Sequence, residues 1–271
     1  MSVITINNQP YSRGREIAEA VAAKTGSELL TVEQITTHAT EEYQVSPEQI
    51  RHACENPQAV PIVYGMSLEE RYRYLAYYEA ALMRFLLRDN IVFCGFAGRV
   101  LLEGISHIFK TYISSSLADR TSVRAARENI SQKTAEEQII KEYNAHKKLI
   151  KALYKFEVDN PKLYDMALNI GQITVEDAIE IITTTSQSRR FQPMTYSTAT
   201  AKNTALMYRV RASLIHIDPN VSVCYECSSL IIHSRAIKGE KQKRTAAIKS
   251  QLKSIPEAAV AEIIITEDFT K

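Results

Sequence analysis

A short apolar run that breaks into a polar turn and restarts as an amphipathic helix constrains this chain most. Val3, Ile4 and Ile6 suit a buried parallel strand, and a turn carrying Pro10 and Gly14 follows. Ile17, Ala18, Val21 and Ala22 then recur at helical spacing, with Gly26 placed to stop the helix. A strand running straight into a helix points unpaired backbone N–H groups at one spot, where an anion is favoured. A phosphate loop of the form G-x-x-x-x-G-K-[ST] needs glycines for backbone freedom and a lysine for the terminal phosphates. Val3–Ala18, reading VITINNQPYSRGREIA, has neither in the expected places. The alternative is a surface turn between strand and helix whose arginines are solvated.

The strand and helix alternation continues. Ser46-Pro47-Glu48-Gln49 orders a cap, a first-turn proline and a capping-box partner, and Ser67-Leu68-Glu69-Glu70 repeats the device before a long helix ending near Asn90. Tyr72, Tyr74, Tyr77 and Tyr78 are spread around that helix; packing in a core is the commoner use of such residues, a stacking surface the rarer one. Ile91–Phe96 and His107–Ile113 read as strands, with a helix expected from Val100. Arg120, Arg124 and Arg127 fall on one helical stripe. From Gln132 to Phe156 a helix carries the seam Ile139, Tyr143, His146, Ile150 and Leu153, in which His146 reads as packed rather than catalytic. Tyr164–Asn169 is a further strand, and Thr174 to Asp177 caps the next helix. The pattern predicts an α/β domain over 1–190 with a parallel sheet and helices on both faces.

Ser186 to Ala201 is polar and without period, which predicts a linker over 191–200. Beyond it, residues 201–271 give a helix on Leu206, Val210, Leu214 and Ile217, strands at Val221–Cys227 and Leu230–Ser234, a helix on Ile248, Leu252 and Ile255, and a strand at Val260–Thr266. That is a small α+β domain in the order αββαβ.

With 271 residues the chain has material for two such domains. Its net charge of +2 offers no global electrostatic argument for nucleic acid or membrane. No apolar run is long enough to span a bilayer and no signal peptide is legible, so a cytoplasmic location is expected. Four cysteines are too few for a disulfide framework. Cys224-Tyr-Glu-Cys227 alone has metal spacing, but in a regular strand residues three apart face opposite sides, so no metal site is expected.

The first segment resembles the cytidylate-kinase-like family, whose loop reads approximately Q-x-G-S-G-G-R-E-I-A. Gln9, Ser12, Gly14, Arg15, Glu16, Ile17 and Ala18 match, while Tyr11 and Arg13 stand where glycines are expected. The resemblance implies a P-loop nucleoside monophosphate kinase fold over roughly Val3 to Thr185, with ATP and magnesium as possible cofactors. It implies nucleotide contacts at Ser12, Arg13, Gly14, Arg15, Arg120 and Arg124. Arg15, Arg120 and Arg124 would be catalytic if activity survives, the latter two as lid arginines; a solvated basic face is the alternative for them. Phe96 replaces an arginine that holds the acceptor nucleotide, which leaves Arg99 as the nearest substitute. Asn144 and Lys147 stand where the family has an Asp and an Arg, and Lys147 would contact substrate. The C-terminal segment resembles a BON domain, a module associated with phospholipid or other ligands, although Ser228-Ser229 replaces the usual glycine. Lys238, Lys241, Lys243 and Arg244 could then meet an anionic lipid surface or a protein partner.

Two functions compete. One is an ATP-dependent nucleoside monophosphate kinase. The other, favoured by the substitutions at Tyr11, Arg13, Phe96 and Asn144, is a non-catalytic scaffold that binds a nucleotide or another phosphate-bearing small molecule.

Overall fold

A computed structural model describes residues 3–54, 66–95, 102, 104–226 and 229–268. Five strands, β1 (Val3–Asn8), β2 (Glu28–Leu30), β3 (Ile91–Cys94), β4 (Ile108–Ser115) and β5 (Met166–Ile170), form one sheet in the order β2-β3-β1-β4-β5. Every pairing is parallel, and Thr5 of β1 sits between Phe93 and Lys110. Parallel neighbours need crossovers, and the helices supply them. Helix α1 (Gly14–Thr25) follows β1, α2 (Val32–Tyr43) follows β2, and α3 (Pro47–Cys54) and α4 (Leu68–Leu86) precede β3. Helices α5 (Leu117–Glu128) and α6 (Gln132–Tyr154) join β4 to β5, and α7 (Val175–Ser186) follows β5.

Side chains of a strand alternate faces. Ile4 and Ile6 accordingly join Val92, Phe109, Ile113 and Leu168 in one core with Ile17, Ala18 and Val21 of α1 and Val175, Ala178 and Ile182 of α7. Each of the Val, Ile, Leu and Phe side chains contributes on the order of 1.5–3 kcal/mol by leaving water, and the alanines less. The core fixes α1 against the sheet and so fixes the turn before it. Because β3 and β4 flank β1 on opposite sides, the crossovers part at the carboxyl end of β1. Open α/β sheets bind ligands at such a switch point.

The caps form as their sequences require. Ser67 and Glu70 close a reciprocal capping box at α4, as do Thr174 and Asp177 at α7. Of the four tyrosines on α4, Tyr74, Tyr77 and Tyr78 are buried. In α6 the buried residues are Ala135, Ile139, Ala145, Leu149 and Ile150, so the seam runs beside the one expected and leaves Tyr143 and His146 half-buried.

Chain contacts separate two compact units. One comprises the chain up to Ile35 together with Arg88–Thr198; the other holds Thr36–Cys54, α4 and the chain from Ala199 onward. The stretch expected to be a linker is instead largely helical: a 3-10 turn spans Arg189–Phe191 and α8 runs from Thr195 to Leu214. Its Thr and Ser residues carry low helix propensity individually, yet the buried Ser197, Ala201 and Val210 let packing decide. In the second unit β6 (Ser222–Glu226), β7 (Ser229–Ile237), α9 (Lys241–Leu252) and β8 (Glu262–Asp268) complete the αββαβ order, with a three-stranded sheet ordered β6-β7-β8. Asp218 anchors it from the turn before β6, accepting from the hydroxyl of Ser234 at 2.7 Å and the N–H of Arg235 at 2.8 Å. Among the described residues no helix is long and apolar enough to cross a membrane.

Candidate functional site

The turn between β1 and α1 is pinned at both ends. The N–H of Gln9 donates to the carbonyl of Ile113 at 2.9 Å, and the buried Ser12 hydroxyl donates to Gln9 O at 2.8 Å. Tyr11 and Arg13 both have left-handed backbones, with φ of 63° and 62°. These are the two positions where the family pattern has glycine, so the loop keeps the path that glycine would make easy and bears about 1–2 kcal/mol of strain at each. Gly14 stays glycine for a steric reason: an added Cβ would lie 2.3 Å from Cβ of Asn8.

Tyr11 is tied into helices α5 and α6. Its hydroxyl hydrogen-bonds Glu128, and its ring lies under the guanidinium of Arg124, 5.0 Å from the centroid. Arg124 also donates to Glu142 through both terminal nitrogens, at 2.8 and 3.0 Å, and through Nε to Glu128 at 3.2 Å. The hydrogen bond to Glu142 holds the Arg124 pKa above its ordinary value. Burial, then the carboxylate of Glu128, pushes the Tyr11 hydroxyl up to about 12.

Arg120, one helical turn before Arg124, is the opposite case. It is buried at 7% exposure, and neither its Nε nor one terminal nitrogen finds a hydrogen-bond partner. Its guanidinium stands 5.5 Å from the centroid of Tyr143. Burial lowers its pKa from the ordinary value. The floor beside it is polar: Tyr143 exchanges a 3.0 Å hydrogen bond with Tyr112, and the Gln9 side chain donates to Tyr143 at 3.4 Å. Lys147 also faces the Tyr143 ring, but its ammonium is held by Asp159 at 2.6 Å. A buried guanidinium with open donors, over tyrosine hydroxyls and next to a strand-to-helix turn, can accept an anionic oxygen.

A cleft of about 400 Å3 opens beside Tyr11. Tyr11, Ser12 and Arg13 form one wall, Ser115, Asp119 and Ser122 of the β4–α5 region another, and Gly171, Thr174 and Glu176 at the start of α7 a third. Two capped helix starts, at Ser116 and Thr174, lie on this side of the sheet. Arg13 is exposed and forms no ion pair among the described residues.

The structure thus draws Ser12, Arg13, Gly14, Arg120 and Arg124 to one end of the sheet. Arg15 is exposed on α1 and paired with Glu19 at 3.0 Å. Arg127 is exposed while Arg120 and Arg124 are buried, so the basic stripe is not a uniformly solvated face. Phe96, Arg99 and Cys227 lie outside the described residues, and Asn144 is exposed on α6. Glu142 escaped the sequence reading, and Tyr143 was read there only as part of an apolar seam. The spacing of Glu128 from Arg124 signals their helical pair, whereas Glu142 is eighteen residues away on the next helix and carries no local signal.

A five-stranded parallel sheet flanked by helices, with a strand-to-helix turn after its central strand, gives the chain an α/β fold like that of P-loop kinases. The chain belongs to the cytidylate kinase-like family, whose sequence profile matches residues 3–172. No curated protein matches it. An uncharacterized protein from Eubacterium ventriosum is similar in structure, with 17% identity, a TM-score of 0.52, and coverage of 70% of this chain and 100% of that one. At that identity the likeness shows the fold alone. A shikimate kinase from Acinetobacter baumannii aligns more loosely, at 11% identity and TM-score 0.40 over 71% of this chain and 96% of that one. So does a gluconokinase from Sinorhizobium meliloti, at 12% and 0.41 over 71% and 98%.

Proposed function

We propose that the protein is a degenerate member of its family that binds a nucleotide or another phosphate-bearing small molecule without transferring its phosphoryl group. The observation that carries this reading is the Tyr11 cluster. A phenol fills the side of the loop where glycine would leave room, and the lid arginine beside it is neutralised by Glu142 and Glu128. Phosphoryl transfer depends on cations aimed at charge that develops on the transferring group. A guanidinium already engaged by two carboxylates is poorly placed to supply that charge. Binding is supported separately by Arg120, whose open donors suit a phosphate oxygen, and by Arg13 on the cleft wall. Arg15 adds charge nearby but no direct contact, and Lys147 is reserved for Asp159.

The second reading, an active ATP-dependent kinase, is favoured by one observation: the loop retains left-handed backbones at positions 11 and 13, so its N–H groups can still line a phosphate. ATP would then meet Arg13 and Arg120 through its phosphates. Magnesium would arrive with those phosphates rather than in a protein cage. For the three-stranded C-terminal sheet we propose a binding or assembly role like that of a BON module, supported by its αββαβ order and by the cations Lys241, Lys243 and Arg244 at the start of α9. Its partner would be a protein or an anionic lipid surface.

Calorimetric titration with a panel of nucleoside mono-, di- and triphosphates tests the binding claim. A phosphate-bearing ligand should bind, and Arg120→Met should weaken it by about 1.5–3 kcal/mol, the strength of a charge-assisted hydrogen bond. Equal affinity in a folded Arg120→Met variant would remove Arg120 from the site.

A further inference from the structure

The second unit holds a cleft of its own, about 550 Å3, within the range of small-molecule sites. Tyr43 at the end of α2, Ala80 of α4, Leu87 just beyond it, and Leu206 of α8 give it an apolar lining. Its charged groups are Arg84, Lys202 and Arg209 against Glu42 and Glu257, an excess of one positive charge.

Three features distinguish this cleft from an ordinary groove between helices. Tyr43 is stacked flat on Tyr77, with centroids 4.4 Å apart and planes 10° from parallel, so the ring lining the cleft is rigidly backed. Burial, with Glu42 second, keeps the Tyr43 hydroxyl protonated well above neutral pH, while Arg209 and Arg84 act on it in the opposite sense, so both guanidinium groups lie close to the phenol. The two arginines are only loosely engaged: Arg84 stands 3.4 Å from Glu42 and Arg209 3.5 Å from Glu257, with side-chain exposures of 65% and 46%. Exposed ion pairs of this length contribute little, so an incoming anion displaces them at small cost. The next pair on α8 is different, since Arg211 donates at 2.8 Å to the buried Glu79 and has a structural role.

We propose that this cleft binds a small organic anion with a flat apolar body. The body lies against Tyr43, Leu87 and Leu206, and the anionic end, a carboxylate or a phosphate, bridges Arg84 and Arg209. This site is separate from the phosphate-loop cleft, and its occupancy does not depend on the function proposed there.

The test uses the full chain and three probes of one shape: 2-naphthoate, 2-naphthyl phosphate and the neutral 2-naphthamide, each titrated by calorimetry. Both anions should bind, and the amide should bind at least tenfold more weakly. Preference between carboxylate and phosphate identifies the natural end group. The double variant Arg84→Ala/Arg209→Ala should weaken both anions at least tenfold and leave the amide nearly unchanged, and Leu206→Glu should weaken all three. Arg13→Ala, in the phosphate-loop cleft, should leave the affinity for 2-naphthoate unchanged. Equal binding of anion and amide, wild-type affinity in the double variant, loss of binding in Arg13→Ala, or no binding of any probe at millimolar concentration would each overturn the proposal.

Discussion

Replacing Arg120 by Met should stabilise the unliganded protein while weakening its affinity for a phosphate-bearing ligand by about 1.5–3 kcal/mol. Arg120 is buried at 7% exposure with two nitrogens unpartnered. Leaving one buried polar group unsatisfied costs about 1–3 kcal/mol, and more when the group is charged. The compensating contact is the Tyr143 face at 5.5 Å, which contributes about 0.5–2 kcal/mol. Met retains most of the stem's packing volume without the charge. The difference favours the variant by on the order of 1 kcal/mol, which raises Tm by roughly 2–4 °C in a protein of this size. Scanning calorimetry without ligand reads the first effect and calorimetric titration the second. Arg124→Met is the control. Glu142 and Glu128 satisfy Arg124, so that variant should melt lower than wild type. An Arg120→Met protein that melts several degrees below wild type would show that the guanidinium is held by the fold, and would refute the argument that it awaits an anion.

The loop offers a paired test. Arg13→Gly should be neutral or stabilising by up to about 1 kcal/mol in denaturant unfolding, because it relieves a left-handed backbone and removes an exposed side chain. Tyr11→Gly should gain less or lose stability, because the same relief is offset by the lost contacts to Arg124 and Glu128; equal gains from the two would remove any structural role for the Tyr11 ring. Gly14→Ala should cost about 1–3 kcal/mol, since the new methyl meets Asn8 at 2.3 Å; an unchanged Tm would contradict that packing. His107 is buried, and burial holds its pKa below 6.5. The neutral form therefore favours the fold: its contribution is complete above about pH 6.5 and is lost as pH falls through the lower folded value. Tm should drop between pH 7.5 and 5, and His107→Gln should flatten that slope.

The sheet was legible because its strands are short, apolar and bounded by caps that act locally, as at Ser67 and Thr174. The loop was legible through Ser12, Gly14 and the helix behind it. What sequence could not give was the state of each arginine. Arg120 and Arg124 are four residues apart on one helix, yet one is satisfied and the other is not, because Glu142 comes from a different helix and reaches only one of them. The helix within the stretch expected as a linker was hidden for a similar reason. Thr195–Ala201 has weak local preference, and its helix depends on burying Ser197 and Ala201, which no pattern within the segment reveals. The division into units, with Thr36–Cys54 and α4 grouped with the chain from Ala199, is likewise a matter of long-range contact.

The central claim is that Tyr11 and the neutralised Arg124 leave a fold that binds but does not transfer. A coupled assay of ATP, magnesium and a panel of nucleoside monophosphates, CMP included, addresses it most directly. No phosphoryl transfer above the background of a Gly14→Arg control is expected. Turnover of any monophosphate at roughly 1–100 per second, the ordinary range for kinases, would contradict the account.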